Sequence, residues 1–496
     1  MTALPRRALL VASTAAAAAQ AFAWRADAAS AQATDVASFG AKGDGVTDDA
    51  PAIQAACDSG AAVVRFPPGR YLVRRPLIPR SHQSWIGAGP DLSTLAFPAE
   101  NLPEPFNLIH HIGLLEAFSL TSLGLEGNIG SQTTVSRDGQ TSFAVYIRGQ
   151  VRRISIIGCR IAHFGDGGPK GSAKSGGGGV ILGPGPHQPL QALEDIVVAQ
   201  CRFDGNGNVP GVYISGGHIP GEIRANLRIE GNRFSGVAPG SRPQNCVYIL
   251  SDSAETRIRN VVVIGNQFDV RTDVDAMLEL NWVQGFVIAN NSFRFAGALP
   301  ESTSILVRDG VRSGSIAGNS FVNETSERVA GVVLVNFAHP GTIEDVTITG
   351  NSIQGYGWRG ISVDRGSRGV VVSANRISGD PRIMAEGIRV VDAKNVLVVG
   401  NLLSRIARPI QLGAGEGPHA GLAAVAIRGN LIVDCGGFGP LIEDGLAAAV
   451  EVALIDNEVR DSRPGTSGLV SHALANGGAR LAGNHHPDLA ASAPAP

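Results

Sequence analysis

The feature that most constrains this chain is a short unit that returns along its length. An apolar-x-apolar triplet is followed by one residue, usually Gly, then by Asn, then by x-apolar. It reads Leu227-Arg-Ile-Glu-Gly-Asn232-Arg-Phe234, then Val261-Val-Val-Ile-Gly-Asn266-Gln-Phe268, then Val346-Thr-Ile-Thr-Gly-Asn351-Ser-Ile353. Aligned copies put the key position at Asn128, Cys159, Cys201, Asn232, Asn266, Asn291, Asn319, Asn351, Asn375, Asn401, Asn430, Asn457 and Asn484, at spacings of 24 to 42 residues. A second segment of period two precedes the copies, as in Gly331-Val-Val-Leu334, Gly360-Ile-Ser-Val363 and Gly387-Ile-Arg-Val390. Period two buries one face of a strand and frees the other. Each unit therefore holds at least two short strands and two or three turns.

A single coil of about 25–30 residues cannot bury its apolar face alone, whereas stacked coils share one core. With neighbouring strands about 4.8 Å apart, thirteen coils form a rod of nearly 60 Å. Asn suits the recurring corner because it tolerates the left-handed backbone region and its amide can bond the Asn of the next coil. The expected fold is all-β, a right-handed parallel β-helix. Composition agrees: 64 Gly and 5% aromatic residues suit many short strands and tight turns better than one large globular core.

The chain divides into residues 1–31, a targeting segment; 32–486, one β-helix domain; and 487–496, a disordered Ala/Pro tail. Arg6-Arg7 stand before an Ala-rich apolar run from Ala8 to Ala23 that is too short for a membrane span. The pair resembles the twin-arginine export signal of bacteria, so the expected location is the periplasm or beyond. Loss of Arg6, Arg7, Arg25 and Asp27 with that segment takes the formal charge from −2 to −4. Such a balance argues against nucleic-acid binding, which needs a basic surface. The five Cys are scattered and show no zinc spacing.

The opening of the domain carries a specific resemblance. Phe39-Gly-Ala-Lys-Gly-Asp-Gly-Val-Thr-Asp-Asp-Ala50, Ile53-Gln-Ala-Ala-Cys57, Phe66-Pro-Pro-Gly-Arg-Tyr71 and Trp85-Ile-Gly-Ala-Gly89 resemble the start of the pectate-lyase superfamily, within residues 36–100; residues 101–486 read as its generic repeats. With the Arg pair added, the chain resembles a bacterial family of twin-arginine-translocated repetitive proteins. The resemblance implies a β-helix and a carbohydrate-directed lineage. It does not imply a catalytic set, because the Asn-Thr-Asp, Gly-His-Gly and Arg-Ile-Lys motifs of polygalacturonases and the Asp-Pro-His-Glu motif of alginate epimerases are absent. Thr47, Asp48 and Asp49 fit the N-cap and first turn of a short helix near residues 49–57, which would plug the open end of the solenoid.

Chemistry must then be sought in outward columns. The middle residue of each period-two strand stacks as Tyr146, Ile181, Tyr213, Tyr248, Glu279, Leu306, Val333, Ser362, Arg389 and Gln411. The next outward position runs Arg148, Gly183, Ser215, Leu250, Asn281, Arg308, Val335, Asp364 and Val391. Asp273, Asp275, Glu279 and Asn281 share one parity; Tyr213, Tyr248 and Asp252 share it earlier, and Arg308 one coil later. Asp275, Glu279 and Arg308 are the candidate catalytic residues, and Tyr213, Tyr248, Asp252, Asp273 and Asn281 the candidate binding residues. Stacked rings suit sugar faces. Paired carboxylates suit glycoside hydrolysis or Ca²⁺, and Arg with a Tyr base suits a lyase or epimerase. The long segments Gly165–Gly179, Gly183–Leu193 and Ser235–Asn245 flank these coils, as loops walling a groove do. Two readings stand open: a polysaccharide-modifying enzyme, and a non-catalytic binding or structural solenoid of the envelope.

Overall fold

The computed structural model describes residues 32–100, 102, 104–129, 140–165, 176–185, 191–207, 209–236, 245–271, 274–297, 301–325, 328–335, 342–380, 385–413, 421–437, 441–444, 450–470 and 479–486. The targeting segment, the tail, Asp273 and most of the three long segments named above lie outside them. All strand pairings within the described residues are parallel and join one coil to the next, which makes a right-handed parallel β-helix. Each full coil contributes three strands. Ala276–Asn281, Val283–Ala289 and Ser292–Phe295 make one coil; Glu301–Arg308, Arg312–Ala317 and Ser320–Asn323 make the next. We call the three resulting sheets the first, second and third faces. The long strands Ile109–Thr121 and Gln140–Ile157 run from the first face into the second, bending at Gly113 and Gly149.

One continuous core fills the tube. On the third face, Phe203, Phe234, Phe268, Phe293 and Phe321 stack coil upon coil with centroids 4.7–4.9 Å apart. At the corner between the second and third faces runs the amide ladder. From Asn266 to Asn484, each side-chain carbonyl accepts from the backbone N–H and Nδ2 of the preceding corner, Asn232 accepts from the Cys201 N–H, and each Nδ2 donates to a backbone carbonyl as well. Asn is suited to this because it is both donor and acceptor, so a buried column satisfies itself.

Two expectations about the corner are corrected. The left-handed residue is the one before the Asn: Gly231, Gly265, Asn290, Gly318, Gly350, Ala374 and their counterparts carry φ of 53–67°. Hence Gly precedes Asn so often. Second, Asn128 is not a corner residue. Gly124 pairs with Arg160, which places Leu123 beneath Cys159 and Ser93 beneath Leu123. Asn128 instead donates to the Glu100 carbonyl. Cys159 and Cys201 do occupy the ladder, as free buried thiols, with Cys201 Sγ accepting from the Cys159 N–H.

The helix spans Ala50–Asp58 and seats Ala50, Ile53, Ala56 and Cys57 in the terminal core. Asp49 occupies the N-cap position, but its carboxylate turns away and accepts from the Lys42 and Gly43 N–H groups; Asp48 accepts from the Ala50 N–H instead. Asp44 accepts from the N–H groups of Val46 and Thr47, which holds its carboxyl at about 2. All three acids are thus used in shaping the first coil. No helix among the described residues is long and apolar enough to cross a membrane.

Asn319→Ala strands the donors of Asn291 and the Ile288 carbonyl, so it is expected to cost about 3 kcal/mol. Ala374→Gly relieves a left-handed Ala and is expected to stabilise by about 1 kcal/mol. Denaturant unfolding followed by circular dichroism checks both; an unchanged midpoint for Asn319→Ala would show that the ladder is dispensable.

Candidate functional site

The outward columns of the first face stack in the register read from the sequence. Ile181 pairs with Tyr213, Tyr213 with Tyr248, Tyr248 with Glu279, Glu279 with Leu306, and so on through Val333, Ser362, Arg389 and Gln411. Asn281 pairs with Arg308 in the neighbouring column. The Tyr213 and Tyr248 rings stack at 5.4 Å with 16° between planes. The column extends further towards the N-terminus than expected, because His110 stacks on Tyr146 at 5.2 Å. Burial raises the Tyr213 and Tyr248 phenol pKa values, and Glu279 adds to the effect on Tyr248.

Glu279 lies on the outward side but is covered, with 2% of its surface exposed. Arg308 Nη1 donates to Oε1 at 3.1 Å and Asn245 Nδ2 to Oε2 at 2.6 Å. Burial pushes the Glu279 carboxyl above the usual carboxylate range, against the pull of Arg308 and Asn245. Arg308 also lies 3.5 Å from Asp309. Asp275, just before the strand, is exposed and lines the same face near Leu306, but the expected alternation from Asp275 to Glu279 is broken because Met277 between them turns into the core. Asn281 is half-buried and Asp252 exposed. The structure therefore brings Tyr213, Tyr248, Glu279, Asn281 and Arg308 together on adjoining coils. It makes Glu279 the buried partner of Arg308 and Asn245, and leaves Asp275 as the open acid. Among the described residues no group of three His, Cys, Asp or Glu side chains is arranged to hold a metal.

Beyond Glu279 the same face opens into a groove of 490 Å³, which the sequence reading did not single out. Its floor is apolar: Leu306, Val333 and Val335 pack with Ala330 and Trp358. Asp275 stands at one end and Asp392 at the other. The far wall is an ion cluster. Arg389 Nη1 lies 2.6 Å from Asp364 Oδ1, Arg359 Nε 3.0 Å from Glu386 Oε2, and Ser362 donates to Asp364 Oδ2 at 2.8 Å. Arg359 also lies over the Trp358 ring at 4.3 Å. Burial raises the Asp364 carboxyl despite its two cations. Ser362, Asp364 and Arg389 were already in the outward columns. The missing signal was Trp358-Arg359 at the repeat phase of Glu386, one coil before it.

Residues 33–104 match the family described as "Rhamnogalacturonase A/epimerase, pectate lyase-like", and residues 278–477 the family described as "Right handed beta helix region". No curated protein matches the chain. Among solved structures, the mannuronan C-5 epimerase A-module of Azotobacter vinelandii is 16% identical, with 91% of this chain and 99% of that one covered and a TM-score of 0.47. The surface adhesin PfbA of Streptococcus pneumoniae is 16% identical, covering 89% and 91%, at 0.43. The Dettilon tailspike protein is 14% identical, covering 91% and 68%, at 0.49.

Arg308→Met leaves Glu279 buried without its cation and is expected to cost about 3 kcal/mol at neutral pH. The folded-state pKa of Glu279 is raised, so its ionised form burdens the fold above that value and the burden fades as pH falls through it. The deficit of Arg308→Met is therefore expected to shrink as the pH falls from neutral into the acid range, and Glu279→Gln in the same chain to remove most of it. Denaturation midpoints across that range check this; a pH-independent deficit would contradict it.

Proposed function

We propose that this chain is exported by the twin-arginine route, as Arg6-Arg7 and the Ala-rich run after them suggest, and that it binds a polysaccharide or envelope glycan along its first face. The observation that carries this reading is the continuity of the first face: a tyrosine stack runs over Glu279, with Arg308 in the neighbouring column, into a groove with an apolar floor and charged ends. Sugar rings present apolar faces to aromatic and aliphatic surfaces and polar edges to charged groups, so an elongated strip of this composition suits a chain of sugars lying along the rod. From Tyr213 to Arg389 the strip crosses six coil steps, about 29 Å. The pectate-lyase-like match of the opening residues supports a carbohydrate ligand, and membership of the twin-arginine-translocated repetitive family is proposed on the same sequence features.

In this reading Glu279 is a positioning residue: it holds Arg308 and Asn245 in place and is too covered to meet a ligand itself. Asp275, Arg308, Tyr213 and Tyr248 make the contacts, with Asp252 and Asn281 at the margin. A second reading, modification of the bound glycan, draws on the proximity of Tyr248 to Glu279 and Arg308: an Arg that neutralises a carboxylate beside a Tyr that exchanges a proton is a workable lyase or epimerase pair, and the raised Tyr248 phenol fits the proton-donating half of that exchange.

Affinity electrophoresis and calorimetry against a panel of neutral and acidic polysaccharides test the binding reading. Tyr213→Ala with Tyr248→Ala is expected to weaken binding at least about tenfold, the effect of losing stacking worth about 1.4 kcal/mol, with the fold intact. Unchanged affinity removes the strip. Release of reducing ends or unsaturated uronates, abolished by Arg308→Ala, would favour the second reading.

A further inference from the structure

The second face carries a feature that the glycan reading leaves unused. Two adjacent outward columns cross eight successive coils, from Val262 and Ile264 to Ala453 and Ile455. Of these sixteen positions eleven are aliphatic, four carry hydroxyls and only Arg428 is charged. None is fully buried; Val287 is 39% exposed and Val262, Val371 and Leu397 are half-buried. Two of the hydroxyls satisfy each other, Ser373 donating to Thr349 at 3.0 Å. The stripe has definite edges. The Arg228–Glu230 ion pair crosses the same columns one coil earlier and ends it. Along one side runs a polar column in which Arg312 donates to Gln284 and Arg368 pairs with Glu344. An apolar centre with a charged rim is the anatomy of a protein–protein interface.

We infer that this face is a self-association surface, and that its occupant is the same face of a second copy of the chain. Size supports a second copy. Eight coils span about 34 Å and the stripe with its rim is about 20 Å wide, roughly 700 Å² per copy and about 1,400 Å² in total, within the range of stable dimers. The stripe without its rim, about 34 Å by 14 Å or roughly 480 Å², is as large as the largest apolar patches of typical monomers, which are often functional. Charge supports it too: one ionised group in sixteen positions gives nothing to select a charged partner. A flat, repeating aliphatic sheet is best matched by another of the same rise per coil, as in face-to-face sheet packing. The first face points elsewhere, so pairing leaves both glycan strips open and places two of them on one particle.

Sedimentation equilibrium of the purified chain tests this. The wild type is expected at twice the chain mass at micromolar concentration, and Val287→Glu with Leu397→Glu at one chain mass with an unchanged unfolding midpoint. Ala317→Cys keeps the test valid should that pair unfold: the native Cys are all buried, so a short bis-maleimide should join two Ala317→Cys chains and leave the wild type unjoined. A wild type of one chain mass overturns the inference. So does a dimer that survives the paired Glu substitutions, or a monomer that sediments with phosphatidylglycerol vesicles through this face.

Discussion

The amide ladder is the interaction on which the rest of this structure depends. A solenoid whose third face stacks fifteen strands must turn its chain at the same place each time, and a buried corner leaves backbone groups that water cannot reach. The Asn column meets both demands. Each carbonyl takes two donors from the coil before it, and each Nδ2 closes on a main-chain oxygen. A one-residue slip of any coil would break three hydrogen bonds at the corner and turn every outward side chain inward. The register of the first face, and hence the stacking of Tyr213 on Tyr248 and of Asn281 on Arg308, is a consequence of that constraint.

This explains how much could be read from sequence. The fold was legible because the ladder writes the same residue at the same phase, and the outward columns followed by counting from it. Legibility failed where the corner changes chemistry. Ser93 and Leu123 fill the slot in the early coils without an amide, so Asn128, five residues past the true corner, looked like the missing member. The backbone strain was also misplaced by one residue, because the amide chemistry marks the Asn while the left-handed turn falls on its neighbour.

The site was legible in its address and less so in its electrostatics. Column counting placed Tyr213, Tyr248, Glu279 and Arg308 together. It could not tell that Glu279 would lie under Arg308 and Asn245, since Asn245 reaches it from the preceding coil. The groove was missed for a related reason. Its ion cluster joins Arg359, Glu386, Asp364 and Arg389 across two coils, and its floor is set by the short Val333 and Val335 between Leu306 and Trp358. Neither is visible one strand at a time.

Function in this account is a matter of which face of a regular rod is chemically uneven. The third face turns its phenylalanine stack inward and carries ion pairs such as Arg294 with Asp269 and Glu324 outward, the second is a flat aliphatic stripe, and among the described residues the first combines stacked aromatic rings, a groove and balanced charges. Hydroxyl-radical footprinting of the chain with and without a bound polysaccharide tests that assignment most directly. The account predicts loss of oxidation at Tyr213, Tyr248 and Trp358 with Val287 and Leu397 unchanged. Protection confined to the second or third face, with those three rings still oxidised in the complex, would contradict it.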